Sequence, residues 1–177
     1  GRYRVDGELG RGGMGVVLRA WPLETSLHLR PDTPVALKLL LRADSGIEQH
    51  RFAREARITA KLDPTGVCAV YDTGLLADGT PFIAMELLEG EDLDQRLERE
   101  GTLPPHEAVD LLLAAIDILA EAHLAGLVHR DLKPSNLFLA RTPLGPQMKV
   151  LDFGLVKVLQ GAQQTSVLTR TGENRRL

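Results

Sequence analysis

A carboxylate, an ammonium group and an amide lie within one stretch of eight residues, His129-Arg130-Asp131-Leu132-Lys133-Pro134-Ser135-Asn136. Asp131 could accept a proton from a hydroxyl, and Lys133 could neutralise negative charge that develops on a reacting group. Asn136 offers the kind of oxygen that a hard cation prefers. This loop therefore suits a site that gathers a hydroxyl, a phosphate and a metal ion.

A second carboxylate follows the predicted strand 148–151, in the segment Asp152-Phe153-Gly154. An acid at the end of a strand, followed by a flexible glycine, can be aimed into a cleft. The alternative is an ordinary turn aspartate. Asp152 becomes a site candidate only if the fold brings it close to the loop 129–136.

Lys38 lies inside the apolar stretch 35–40, which is predicted to be a buried strand. A charge in such a strand is costly unless it is paired. The predicted helix 51–62 supplies a candidate partner in Glu55, which shares a face with apolar residues at helical spacing. Considered alone, the helix favours the alternative that Glu55 is a solvated glutamate between Arg54 and Arg57.

Glycine recurs at positions 10, 12, 13 and 15, between Leu9 and the apolar residues 16–18. The β-branched pair after the glycines favours a strand, so the unit is predicted to be strand–turn–strand. A dinucleotide-binding turn should instead open into a helix. The glycines would let the backbone and its N–H groups approach a triphosphate closely. A hairpin tip without a ligand is the alternative.

Residues 1–88 are predicted to form a mostly antiparallel sheet with one helix. Strands at 67–71 and 81–86 flank Asp78-Gly79, a hairpin signal. Cys68 falls in the first of these strands and is predicted to be a buried small residue rather than a reactive thiol.

Residues 89–177 are predicted to be mainly helical at first. A short charged helix spans 92–100, and a longer one runs from Pro104-Pro105 to Gly126. The longer helix carries a wide apolar stripe and is predicted to be a core helix. A hairpin turn at 143–146 follows the loop. The tail 160–177 lacks apolar periodicity and is predicted to be a mobile loop. The apolar stripe of the longer helix comprises Val109, Leu112, Leu113, Ile116, Leu119, Ala120 and Leu124.

The chain has 177 residues, a net charge of −3 and 44% hydrophobic residues, as expected for an ordinary soluble protein. The charge argues against a nucleic-acid partner. One cysteine allows no internal disulfide, which indicates a reducing, cytoplasmic compartment. No apolar run is long enough for a membrane helix. Because residue 1 is glycine, we expect the chain to be part of a longer protein, whose remainder could carry a membrane anchor.

The order of these motifs resembles the protein kinase family of the eukaryotic type across essentially the whole chain: glycine-rich turn, strand lysine, helix glutamate, His-Arg-Asp loop and Asp-Phe-Gly. Residues 9–17 are similar to bacterial members, and Lys133 beside Asp131 is typical of the serine/threonine class. The resemblance implies an α+β fold with an N-terminal lobe, 1–88, and a partial C-terminal lobe, 89–177. The hinge would lie at 86–90.

The resemblance also implies ATP and Mg²⁺ as cofactors and a role for each motif residue. Asp131 would orient the substrate hydroxyl and accept its proton, and Lys133 would neutralise the transferring phosphoryl group. Asn136 and Asp152 would bind the metal. His129 would pack beneath Phe153 rather than act in catalysis. The implied nucleotide-binding residues are Leu9, Gly10, Gly12, Gly13, Gly15, Val17, Ala36, Lys38, Glu55, Met85, Glu86, Leu88, Phe138 and Asp152.

Within that set, Glu55 would hold Lys38 on the α- and β-phosphates. Val17, Ala36 and Phe138 would enclose the adenine, Met85 would shape the back of the pocket, and Glu86 and Leu88 would offer backbone hydrogen bonds. Arg130 would bind a phosphate on the activation loop, 155–177, at Thr169 or Thr171. The set of implied partners comprises a protein with a reactive serine or threonine and a second copy of the chain for trans-autophosphorylation.

The family pattern continues beyond Asp-Phe-Gly into an Ala-Pro-Glu motif and further helices that this sequence lacks. We therefore expect the long helix to expose an apolar patch. We also expect the 177-residue chain to bind nucleotide but to transfer phosphate weakly. A regulatory ATP-binding module and an inactive kinase fragment are the alternative functions.

Overall fold

The computed structural model describes residues 2–12, 15–25, 29–41 and 56–153. The predictions for Gly13, Glu55 and the tail after Phe153 lie outside these residues. The predicted helix 51–62 is described from Ala56 onward, where residues 56–59 are helical and a turn at 60–66 follows.

The first sheet has five antiparallel strands in the order β1-β2-β3-β5-β4. The predicted strand–turn–strand unit is confirmed, and so is the buried strand that carries Lys38. The predicted hairpin at Asp78-Gly79 is also present, with Gly79 at φ 84°. The strands are β1 Tyr3–Gly12, β2 Gly15–Pro22, β3 Val35–Leu40, β4 Val70–Leu75 and β5 Pro81–Glu86.

The predicted start of β4 at residue 67 is wrong. Val67 makes an isolated parallel bridge to Val150 instead, and Cys68 precedes the strand. The backbone of Val150 donates to Gly66 O at 2.9 Å. A tertiary contact with the distant residue 150 therefore diverts residues 66–67 from the hairpin.

The register of the first sheet separates its two faces. Val17 pairs with Lys38 and Lys38 with Ile83, while Ala36 pairs with Met85, so these side chains share one face. The opposite face carries an apolar cluster built from Ala20, Leu29, Val35, Leu37, Phe82 and Ala84. The face with Lys38 is the one that remains for a polar site.

The second sheet has three strands in the order β6-β7-β8. Its strands are β6 Gly90–Asp92, β7 Leu137–Thr142 and β8 Gly145–Val150. Strand β6 was not predicted, because three residues Gly-Glu-Asp show no apolar alternation and depend on pairing with β7. The predicted turn at 143–146 is confirmed as the β7–β8 hairpin.

Two helices accompany this sheet, α1 Leu93–Glu100 and α2 Pro105–Leu124. Asp92 caps α1 by accepting a hydrogen bond from Gln95 N at 2.9 Å. Gly101 ends α1 at φ 80°. Both helices agree with the sequence prediction. A short 3-10 turn, Pro134–Asn136, leads from the polar loop into β7.

The prediction that α2 is a core helix is only partly correct. It buries Ala115 and Ala122, with Ile118 partly buried beside them. The predicted stripe lies on another face and is largely exposed, since small side chains allow the alanine face to approach the sheet more closely. The expected apolar patch is thus present, with exposed fractions of 54% at Val109, 53% at Leu112, 55% at Leu113 and 56% at Ile116.

No described helix combines the length and the apolar character needed to span a membrane.

Candidate functional site

His129 attaches the polar loop 129–136 to the end of β8. It is 3% exposed, and its Nε2 donates to the carbonyl oxygen of Leu151 at 2.7 Å. Its Nδ1 accepts from Asp131 N at 3.3 Å, so the ring is the neutral Nε2–H tautomer. The His129 and Phe153 rings lie 5.1 Å apart, which confirms the predicted packing role.

Asn136 closes the other end of this loop. Its Nδ2 donates to Asp131 O at 2.8 Å, and its own carbonyl oxygen accepts from Leu151 N at 2.9 Å. Because the amide nitrogen is used in the first bond, Oδ1 is the side-chain atom suited to a cation. These bonds hold Asn136 beside Leu151 and therefore one residue from Asp152.

Lys38 and Asp152, 114 positions apart in the sequence, meet across the two sheets. Lys38 Nζ donates to Asp152 Oδ1 at 2.5 Å, with side chains that are 13% and 30% exposed. This contact gives the lysine of the apolar strand an anionic partner. Glu55, the predicted partner, lies outside the described residues.

Two residues of the site have left-handed backbones, Arg130 at φ 64° and Asp152 at φ 57°. This conformation costs an L-residue with a side chain roughly 1–2 kcal/mol, with aspartate among the better tolerated. The hydrogen bonds of His129 and Asn136 to Leu151 hold the residues that directly precede Arg130 and Asp152. Strain of this kind is concentrated at functional sites.

Asp131 and Lys133 form a loose ion pair, Nζ to Oδ2 3.3 Å, in which Lys133 is 53% exposed. A pair as exposed as this contributes at most about 1 kcal/mol. Lys133 can therefore exchange this carboxylate for a phosphate at little cost.

The predicted adenine-binding side chains are distributed over both sheets. Val17, Ala36 and Met85 lie on the Lys38 face of the first sheet. Phe138 lies on β7, half-buried, while Leu9 on β1 is 49% exposed. The structure thus places an apolar set on the same side of the first sheet as Lys38.

Met85, Cys68, Asp152 and Phe153 are among the residues that line a small cavity. Burial raises the pKa of the Cys68 thiol to about 12, and the nearby Glu86 carboxylate adds to the rise. The thiol is protonated at neutral pH and is a weak nucleophile. Cys68 is therefore a buried small residue, as predicted.

The glycines of the first turn differ in what surrounds them. A Cβ on Gly10 or Gly12 would meet nothing within 4 Å, whereas a Cβ on Gly15 would lie 2.0 Å from Leu39 O. Gly15 therefore has a packing role between β2 and β3, in addition to any role toward a phosphate. The open space at Gly10 and Gly12 is compatible with a ligand approaching their backbone.

We predict that Gly15→Ala destabilises the chain by about 2 kcal/mol, because β2 must move away from β3. For a chain of this length, Tm should fall by roughly 4–8 °C in a thermal melt. Gly12→Ala is the matched control and should melt like the wild type. Equal Tm values for Gly15→Ala and the wild type would contradict the packing role.

Glu86 is more constrained than the sequence indicated. Its N–H donates to Ala69 O at 2.8 Å, so its backbone contribution to a ligand is limited to the carbonyl group. Its carboxylate contacts Lys149 Nζ at 2.5 Å. Leu88 is half-buried in the connector 87–89. Sequence reasoning missed Lys149, although a lysine in an apolar strand is the same signal that identified Lys38.

The donor set fits a metal ion that takes most of its ligands from elsewhere. The described residues contain no group of three or more His, Cys, Asp and Glu side chains able to hold an ion. The hydrogen bond from Leu151 N to Asn136 O brings one amide oxygen, that of Asn136, near one carboxylate, that of Asp152. Mg²⁺ is commonly held by one or two such oxygens with phosphates and water.

Comparison with known proteins shows the family of the chain. The family described as "Protein kinase domain" matches residues 3–173. The chain therefore belongs to the protein kinase family, and the α+β kinase fold expected from the sequence is confirmed.

Curated relatives of the chain include bacterial serine/threonine-protein kinases. PknL of Mycobacterium tuberculosis is 42% identical over 168 residues, covering 93% of this chain and 39% of the relative. Pkn3 of Myxococcus xanthus is 38% identical over 174 residues, covering 97% and 31%. The chain thus spans less than half the length of these relatives.

Among solved structures, the PknI kinase domain of M. tuberculosis superposes with a TM-score of 0.74 at 30% identity. The match covers 88% of this chain and 60% of that chain. Its C20A mutant gives a TM-score of 0.75 at 28% identity and covers 90% and 65%. Protein kinases generally use ATP with Mg²⁺, and the polar cleft contains residue types suited to a phosphate and a metal ion.

Proposed function

We propose that this chain is the ATP-binding and catalytic-loop part of a serine/threonine protein kinase. Such an enzyme transfers the γ-phosphoryl group of Mg-ATP to a protein hydroxyl. The contact of 2.5 Å between Lys38 and Asp152 carries the proposal, because it brings a phosphate-binding cation and a metal-binding anion together in one cleft. Residues 1–88 and 89–177 would be the two lobes, joined at 86–90.

Each predicted residue then has a task in this cleft. Lys38 would bind the α- and β-phosphates, and the backbone of residues 10–15 would cover them. Asp152 and Asn136 would hold Mg²⁺, which supplies charge neutralisation at the phosphates. Asp131 would orient the hydroxyl and accept its proton, with Lys133 close to the transferring group. The protein substrate could include a second copy of the chain.

A second, narrower candidate function for the isolated chain is nucleotide binding with weak phosphoryl transfer. The exposed apolar side chains of α2 support it. Five large apolar side chains of this helix are each more than half exposed, namely Val109, Leu112, Leu113, Ile116 and Leu124. An apolar surface of this kind usually marks an interaction site. Transfer should therefore be compared between the 177-residue chain and the full-length protein.

A thermal shift measurement with ATP, with and without Mg²⁺, tests the proposal. At a ligand concentration of 100 Kd, binding stabilises a protein by about 2.7 kcal/mol, so Tm should rise clearly when both are present. Asp152→Ala should lose the part of the shift that depends on Mg²⁺. The exposed Asp110→Ala on α2 is the control and should keep it. An equal Mg²⁺-dependent shift in Asp152→Ala would contradict the metal assignment.

A further inference from the structure

Lys149 is a buried cation that the proposed reaction does not use. It lies in β8 and is 5% exposed. Its Nζ contacts Glu86 Oε2 at 2.5 Å, Pro64 O at 2.7 Å and Val67 O at 3.4 Å. An ammonium group has three donors, and three acceptors surround this one. The charge is therefore fully accommodated within the protein.

The β7–β8 register separates Lys149 from the core of the second sheet. Lys149 pairs with Phe138, so both lie on one face, whereas Leu139 and Met148 pair on the opposite face and join the apolar core. The Phe138 face is the one proposed to contact the adenine. Lys149 thus lies beside the nucleotide site on a neighbouring strand.

The turn 63–67, which supplies two of the three acceptors, is fixed independently of Lys149. Gly66 O accepts from Val150 N at 2.9 Å, and Asp63 N donates to Glu121 Oε1 on α2 at 3.2 Å. A Cβ on Gly66 would lie 2.8 Å from Ile118 Cγ1, so the turn packs closely on the helix. Lys149 therefore connects Glu86 to the turn 63–67, which is itself hydrogen-bonded to β8 and α2.

Glu86 is the last residue of β5 and begins the connector that leads to Leu88. Its carboxylate is held by Lys149, and its backbone N–H is held by Ala69 O at 2.8 Å. Asp152 follows Lys149 by three residues in the same chain segment. One side chain thus links the segment proposed to contact the purine to the segment that carries the metal-binding carboxylate.

A buried ion pair often gives little net stability compared with well-packed apolar side chains, so stability alone does not account for its presence. We propose that Lys149 is a positioning residue of the nucleotide site. By holding Glu86, it sets the position of the purine-binding segment relative to Lys38 and Asp152. This inference rests on the proposed function, because it requires that the cleft bind a purine nucleotide.

The test separates purine binding from phosphate binding in the full chain. Adenosine and magnesium tripolyphosphate are each titrated as competitors against a fluorescent ATP analogue. Lys149→Met should weaken adenosine and ATP binding roughly tenfold, the scale of one poorly made hydrogen bond, and leave tripolyphosphate binding unchanged. The exposed Lys61→Met is the matched control and should bind all three like the wild type.

Lys149→Met leaves the Glu86 carboxylate without its cation and could impair folding. The double variant Lys149→Met with Glu86→Gln removes both charges and should recover Tm without recovering adenosine affinity. Wild-type adenosine affinity in either variant would overturn the positioning role, and so would equal losses for adenosine and tripolyphosphate. If the wild type itself binds no ATP, the proposed function fails, and the positioning role fails with it.

Discussion

Asp131→Asn is expected to lower phosphoryl transfer by about 10²–10⁴-fold, the usual contribution of a general base, with ATP binding nearly unchanged. Asparagine keeps the size of the side chain but cannot accept the hydroxyl proton. The loop should keep its shape, because its bonds to His129 and Asn136 use the backbone of Asp131 rather than its carboxylate. The effect should therefore appear in kcat.

Transfer to a protein substrate should be measured in the full-length protein, with ATP affinity measured in parallel. Asp110→Asn is a matched control, because this carboxylate is exposed on α2. It should transfer at the wild-type rate. Wild-type transfer by Asp131→Asn would remove Asp131 from its assigned role. A loss of ATP binding in the same variant would show that its effect is structural.

Lys38→Met should reduce kcat/KM for ATP on the order of 10²-fold, which corresponds to about 2.7 kcal/mol of lost transition-state stabilisation. Methionine fits the apolar strand and retains most of the length of the side chain. It removes the cation from the phosphates and leaves Asp152 without its partner at 2.5 Å. Both changes disfavour binding of the charged end of the nucleotide.

Steady-state kinetics and calorimetric ATP binding measure this effect, and the exposed Lys61→Met serves as the control. Adenosine binding should change little in Lys38→Met, since the lysine is assigned to the phosphates. This pattern is the reverse of the one expected for Lys149→Met. Full ATP affinity in Lys38→Met would contradict the assignment of Lys38.

The elements that position the site were predictable where local patterns are strong. The strand around Lys38, the capped helix α1 and the Asp78-Gly79 hairpin each depend on residues that are close in sequence. Strand β6 depends on pairing with β7, which starts 45 residues after β6 ends. The start of β4 shifted for a similar reason, since Val67 bonds across to Val150.

The family of the chain was predictable from its motif residues, but the contacts among those residues were not. Their order along the chain indicated the family, whereas the Lys38–Asp152 contact depends on how the two sheets meet. The Lys149–Glu86 pair was missed because its two residues are 63 positions apart in the sequence and meet only in the folded chain. The same limit applies to α2, where the alanine face packs on the sheet and the larger apolar residues remain outside.

The left-handed backbone of Asp152, at φ 57°, has a consequence for how a protein of this kind can lose activity. Glycine adopts this conformation without steric cost, so Asp152→Gly would relieve local strain while removing the carboxylate. At this position the fold and the chemistry favour different residues. The same substitution would leave Lys38 without its anionic partner at 2.5 Å, so the relief of backbone strain at residue 152 would be opposed by an unpaired charge in β3.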